Sequence, residues 1–422
     1  MELHSLAHVD WIRLSPFFAV AVAPIVLRWP VESSLGLYAF LVPFDDISRV
    51  GSADNGPTLT LIVGGGVVLI ALAVGLVERR LTSPPRAAVW LTLFIIWAAI
   101  TSLWSLTTAY SRLITAGGLI VVYLSAVCLR VTEKEFRTVV WLAILGACAA
   151  AGYSVQQFAR GTMSSGRGSL ILGVEEADPN VVAVSLLTPL SLAVGLLLTD
   201  RGWLRRALLI GAVALIALGV FTTMSRGAVV ALIAMLLVYL YRYRMSWRAW
   251  VPIGVMGALL GMLPETFFSR LGQSISTGGA GRTDIWIVGL HAFKYYALAG
   301  AGLDSFPYAY GQFMGYAPNY LGRVLRASHN IYLGMAVELG ILGLILMITA
   351  FACHFGAARR SSLTAGSKSS PPVLASYEAG CWGLLVAGCF LDVIWRKSFW
   401  LGWMLLAIAV RLREERRAAI RL

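Results

Sequence analysis

Ser328-His329-Asn330-Ile331-Tyr332-Leu333-Gly334-Met335-Ala336-Val337-Glu338-Leu339-Gly340 leads an imidazole and two small hydrogen-bonding residues into an apolar run that continues to about residue 354. As a helix, such a run crosses about 30 Å of hydrocarbon. Read outward, the chain repeats the theme. Apolar runs recur at about 14–44, 59–77, 87–104, 112–129, 136–158, 180–198, 207–222, 227–241, 249–263, 377–394 and 398–411. The first is broken by Pro24, Pro30 and Pro43 and reads as one bent crossing or a short pair. These runs predict an all-α polytopic membrane protein of about twelve transmembrane helices. Residues 1–422 form a single membrane domain in this reading, with no separate soluble unit and the first run retained as a span.

Composition agrees. Hydrophobic residues make up 58% of the chain and charged residues 13%, with a mean hydropathy of +0.77, far from soluble globular proteins. The net charge of +13 would suggest nucleic acid in a soluble protein. Here most Lys and Arg sit in short loops between spans, so topology explains them and no nucleic-acid partner is expected. Cys128, Cys148, Cys353, Cys381 and Cys389 lie inside apolar runs without disulfide or metal-ligand spacing and read as small core residues.

Alternate loops set the orientation. Lys and Arg are denser in 78–86, 130–137, 199–206, 242–248, 355–375 and the tail from Arg411 than in the much longer alternate set. The first set is assigned to the cytoplasm, where anionic headgroups hold the basic tail. The 264–328 segment, with a helix expected from Arg282 to about Tyr296, then lies on the outer side. Residues 361–372 read as a flexible inner linker.

Four polar motifs interrupt the apolar background, each where a helix begins and each on the outer side: Asp178-Pro179-Asn180, Ser225-Arg226-Gly227, Gly281-Arg282-Thr283-Asp284 and Ser328-His329-Asn330. Helix N-termini present unpaired N–H groups and partial positive charge. With Arg226, Arg282 and His329 added, they describe an anion site for a phosphate or pyrophosphate. Plainer readings exist for each: a snorkelling Arg226, a solvated Arg282, a His329 satisfied by Ser328 or Asn330, and Asp178 and Asn180 acting only as helix caps. A neutral imidazole can take a proton from an attacking hydroxyl, which is the sharper reading of His329. Glu338 lies nine residues on, on the opposite helix face, and reads as a structural hydrogen-bonding group; His291 points away from Arg282 for the same reason. Asp392 and Arg396, four apart, read as an ion pair. The tyrosines and phenylalanines of 293–332 read as an interfacial belt or as stacking platforms for sugar rings.

Ser225-Arg226-Gly227-Ala228, Gly281-Arg282-Thr283-Asp284-Ile285-Trp286 and Ser328 to Leu333 followed by Glu338-Leu339-Gly340-Ile341-Leu342-Gly343, in this order, resemble the O-antigen ligase and polymerase superfamily of bacterial envelopes. Asp178-Pro179-Asn180 fits that pattern as well. The resemblance implies a GT-C-like helical bundle in the bacterial inner membrane with its active site facing the periplasm, 264–328 being a periplasmic loop with short helices. It implies an inverting glycosyltransferase whose donor is an undecaprenyl-pyrophosphate-linked glycan, with no cofactor and no metal. The acceptor would be lipid A-core in a ligase or a second lipid-linked glycan in a polymerase; ligase is the preferred expectation. Arg226 and Arg282 would hold the pyrophosphate and His329 would activate the acceptor hydroxyl, with Asp178, Asn180, Ser328 and Asn330 beside the substrate. A lipid-linked sugar transporter is the alternative of another class. The absence of inverted repeats and the one-sided polar motifs count against it.

Overall fold

A computed structural model describes residues 24, 26–48, 57–161, 166–172, 175–243, 281–319, 324–363 and 372–421. The helices in chain order are α1 Pro30–Leu41, α2 Leu59–Val77, α3 Arg86–Thr101, α4 Tyr110–Cys128, α5 Glu133–Arg160, α6 Pro179–Thr199, α7 Trp203–Thr222, α8 Arg226–Tyr243, α9 Arg282–Tyr296, α10 Phe306–Phe313, α11 Ile331–Leu363, α12 Pro372–Ala387 and α13 Lys397–Arg421. One small antiparallel hairpin, β1 Ile171–Leu172 with β2 Glu175–Glu176, precedes α6. The expected span at 249–263, the glycines before Gly281, Tyr320, and most of the 361–372 linker lie outside the described residues.

The protein is an all-α polytopic membrane protein. Among the described residues seven helices are long and apolar enough to cross a membrane: α2, α3 with its extension to Trp104, α4, α5, α6, α7 and α11. That is fewer than the twelve crossings expected. The run at 249–263 lies outside the described residues, α12 stops after 16 residues, and α13 runs into the charged stretch from Arg411.

Helix α6 is central, buried from Val182 through Ala193, and α12 packs against both α6 and α8. Small residues allow the approach. A methyl group on Gly380 would sit 3.3 Å from the Thr188 Cα, and one on Gly146 of α5 would lie 2.1 Å from the Phe40 carbonyl oxygen of α1. A second, smaller apolar cluster unites α9, α10 and the first turns of α11 through Ile285, Val288, Phe306, Tyr310 and Val337.

The loops sort into two ends as the charge pattern suggested. At the basic end Arg80 donates to Glu135 at 3.0 Å and to the Arg130 carbonyl at 2.8 Å, while Arg411 reaches the Val127 carbonyl at 2.5 Å. At the opposite end Gly168 N–H meets the Thr222 carbonyl at 2.7 Å, Ser105 Oγ donates to Leu303 O at 2.7 Å, and Ile331 N–H donates to Gly388 O at 2.8 Å. Asp392 and Arg396 do not form the expected pair. Residues 388–396 are turns, so four-residue spacing does not bring them together; Arg396 pairs with Asp46 and Lys397 with Asp45, both from the turn after α1.

The apolar run after His329 is not one continuous helix. Gly340 adopts φ 67°, ψ −172°, breaking α11 into Ile331–Leu339 and a longer segment from Ile341. A break leaves backbone groups without helical partners, which within apolar surroundings must be satisfied by other protein groups. The 297–305 connection supplies most of them. Ala301 N–H donates to Val337 O at 2.8 Å, Gly302 N–H to Glu338 O at 2.9 Å, and Ile341 N–H to Ala297 O at 2.8 Å. Trp97 Nε1 serves Leu339 O at 2.8 Å. The Glu338 carboxylate accepts from Asp304 N–H and Phe306 N–H, both at 3.2 Å, and so caps α10, the structural role expected of it. At Gly340 a methyl group would meet the Leu298 carbonyl oxygen at 2.3 Å, in a backbone conformation side chains rarely adopt. Gly340→Ala is therefore expected to cost at least about 1–3 kcal/mol. A lowered midpoint of thermal unfolding in detergent, compared with Gly356→Ala on the same helix, where the nearest atom is the Arg360 guanidinium at 3.4 Å, would register it.

Candidate active site

The four polar motifs converge at the end opposite the basic loops. Asp178 is the N-cap of α6: its Oδ1 accepts the Asn180 backbone N–H at 2.7 Å and the Asn180 side-chain amide at 2.9 Å. Asn180 passes the connection on, because Arg167 Nη2 donates to its Oδ1 at 2.9 Å while Arg167 Nε donates to the Thr223 carbonyl at 2.8 Å. Arg167 thus ties the start of α6 to the turn that launches α8. In that turn Met224 adopts φ 49°, and Arg226 follows as the first residue of α8. Gly227 lets Phe390 pack close, with 3.2 Å between its position for a methyl group and the Phe390 Cβ.

Arg282 opens α9 after Gly281, which takes φ 79°. Asp284 is buried and accepts from Asn319 at 3.0 Å. One turn into α9, Trp286 donates from Nε1 to Ser328 O at 3.1 Å and lies 6.5 Å, centroid to centroid, from the Phe390 ring. Phe390 therefore packs against Gly227 at the start of α8 and against Trp286 of α9. A narrow crevice lined by Asn180, Ser225, Gly227, Arg282, Phe390 and Leu391 opens there.

His329 stands at the head of α11 with φ 46°, left-handed and strained for a histidine. Its neighbours hold that turn. The Asn330 side-chain oxygen caps α11, accepting Tyr332 N–H and Leu333 N–H at 3.0 Å each, and Ser328 Oγ donates to Asn330 O at 3.0 Å. Ser328, Asn330, Asp178 and Asn180 thus spend side-chain oxygens on the scaffold. Arg282 lies close enough to both Arg226 and His329 for their charges to interact. Burial first, then the charges of Arg282 and Arg326, push the His329 imidazole below its ordinary pKa, with Asp178 acting in the opposite sense. The Arg282 guanidinium is lowered by burial and by Arg226, again offset by Asp178. A concentrated positive field beside a neutral imidazole suits an anion and a proton acceptor together.

Arg167 and Arg326 were not singled out by the sequence. Both look like ordinary loop arginines; the one available signal is that Arg326 lies three residues before His329 and Arg167 eleven before Asp178. The aromatics of 293–316 mostly pack on one another: His291 stacks on Tyr316 at 4.1 Å, and Tyr296 donates to Gln312 at 2.6 Å. Tyr295, Tyr308 and Tyr316 remain exposed.

Residues 211–348, about a third of the chain, match a family model described as O-antigen ligase. The match takes in α8, α9, α10 and the first part of α11, and with them Arg226, Arg282 and His329. No curated protein matches the chain.

Proposed function

From the O-antigen ligase domain that residues 211–348 carry, we propose that this protein is a membrane glycosyltransferase of the O-antigen ligase type, moving a glycan from undecaprenyl pyrophosphate to a hydroxyl of lipid A-core. The observation that carries the reading is the meeting of Arg226 and Arg282, at two helix N-termini, with the depressed imidazole of His329. In the reaction an acceptor hydroxyl attacks the anomeric carbon and a C–O bond forms. The bond from that carbon to the pyrophosphate oxygen breaks, and the electron pair leaves with undecaprenyl pyrophosphate. His329 Nδ1 or Nε2 takes the hydroxyl proton, and the arginines take up the charge that develops on the departing oxygen. One displacement inverts the anomeric configuration.

The chain works as one membrane unit over 1–422 in the bacterial inner membrane, GT-C-like in kind, with 264–328 on the periplasmic face. The weight of Lys and Arg at the other end supports that orientation. The ligase form is our preferred reading; a polymerase, with a second lipid-linked glycan as acceptor, is the competing form, and the matched domain is compatible with both. Reconstituted protein supplied with a lipid-linked glycan, with and without lipid A-core, decides between them. Product that appears only with lipid A-core marks a ligase, and lengthening of the lipid-linked glycan alone marks a polymerase. Full transfer by both Arg226→Ala and His329→Ala would sink the site assignment.

A further inference from the structure

The end of the molecule away from His329 holds a cavity of about 760 Å³ between the start of α5, the end of α6, the start of α12 and the last turns of α13. Its size lies in the range of roughly 300–1,000 Å³ typical of small-molecule sites. On α5 the lining begins with Glu133, Lys134 and Arg137 and continues to Val140 and Trp141; on α13 it runs from Arg416 and Arg413 inward to Leu412 and Ala409. On α6 the sequence is Asp200, Thr199, then Leu196. These three walls change from charged at the helix end to apolar towards its middle, in the same direction, while the fourth, α12, adds the apolar Val373, Leu374 and Tyr377.

The lining carries four basic side chains against two acidic ones. Both acids have basic neighbours, Glu133 with Arg416 at 3.3 Å and Asp200 with Arg205 at 3.8 Å. Lys134 and Arg137 are exposed at the rim, and Arg413 is oriented by donating from Nε to Ser361 O at 2.9 Å. A cationic mouth over an apolar floor mirrors a phospholipid, with an anionic headgroup above its acyl carbons. We propose that this cavity binds one anionic diacyl phospholipid of the inner leaflet, its phosphate at Lys134, Arg137 and Arg413 and its chains along Val140, Leu196 and Ala409. A neutral zwitterionic lipid fits the floor and not the field, and a bare phosphate fits the field and not the floor.

The test uses the full chain purified in neutral detergent, with bound lipid counted by mass spectrometry of the intact protein after equilibration with phosphatidylglycerol or phosphatidylcholine. Phosphatidylglycerol should be preferred about tenfold. The double variant Lys134→Gln/Arg137→Gln should bring it down to the phosphatidylcholine level, and Ala409→Trp, filling the floor, should lower both lipids. Glycerol 1-phosphate should not compete. Equal retention of the two lipids by the unaltered protein, undiminished phosphatidylglycerol in either variant, or full displacement by glycerol 1-phosphate overturns the proposal. Both rim residues are exposed, so the double variant retains the fold, and neither lies near the glycan-transfer site, so transfer activity reports separately on that reading.

Discussion

Arg282→Ala is expected to lower glycan transfer by about 10²–10³-fold, the usual cost of removing a preorganised charge donor from a developing anion. The residue is half-buried at the first position of α9, in the field of Arg226, and burial lowers its own pKa. Two guanidinium groups this near oppose one another, an opposition that Asp178 offsets only in part. The bound pyrophosphate relieves that opposition, and the extra negative charge of the departing form relieves it further, so the loss should fall on the chemical step. Single-turnover transfer from a polyprenyl-pyrophosphate glycan separates the possibilities: a drop in the rate at saturating donor supports the role, whereas a raised KM with unchanged kcat would leave Arg282 with ground-state binding alone. Arg282→Lys should recover only part of the activity, because lysine lacks the planar fork. Thermal stability should hardly move, since Trp286 and its bond to Ser328 O anchor α9 independently.

His329→Asn is expected to cost about 10²–10⁴-fold in transfer, the range for losing a positioned general base. Asparagine is the informative replacement because it tolerates the left-handed φ of 46° at this position, whereas alanine would add backbone strain to the chemical loss. The pH profile carries a second expectation. The active imidazole is the neutral one, so activity falls as pH falls through the His329 pKa. Burial and the charges of Arg282 and Arg326 hold that pKa below the ordinary histidine value. The acid limb of kcat/KM, which reports the free enzyme, should therefore lie at lower pH than an unperturbed histidine would give. Bound pyrophosphate offsets the arginines and favours the imidazolium, so the acid limb of kcat should lie at higher pH than that of kcat/KM. An acid limb unchanged in His329→Asn would remove histidine as its source.

Much of this site was legible because its signals are local. The helix expected from Arg282 to about Tyr296 spans Arg282–Tyr296, and the polar motifs that interrupt apolar runs do meet at one end. Long-range partners were not legible. Nothing around Gly340 distinguishes it from glycines that merely allow close helix packing; the break depends on the 297–305 connection, some forty residues earlier in the chain, being there to take up Val337 O and Glu338 O. Likewise the pairing of Arg396 with Asp46 spans most of the chain, and the four-residue rule that suggested Asp392 presupposes a helix absent at 388–396. Arg167 escaped notice because its meaning lies in joining Asn180 to Thr223 O, a relation between two helices that composition and spacing do not encode.

The interruption of α11 also bears on hydrophobic matching. From Ile341 to Ala358 the helix rises about 27 Å at 1.5 Å per residue, close to the full hydrocarbon thickness of about 30 Å. The lower segment can therefore match the bilayer alone. Ile331–Leu339, secured sideways to α9, α10 and the 297–305 connection, carries none of that obligation. Matching a thinner or thicker membrane would then fall on the lower segment, while the upper one is held to α9 and α10. The placing of the His329 imidazole is then set by protein contacts, which would let the proposed site keep one geometry across membranes of different thickness.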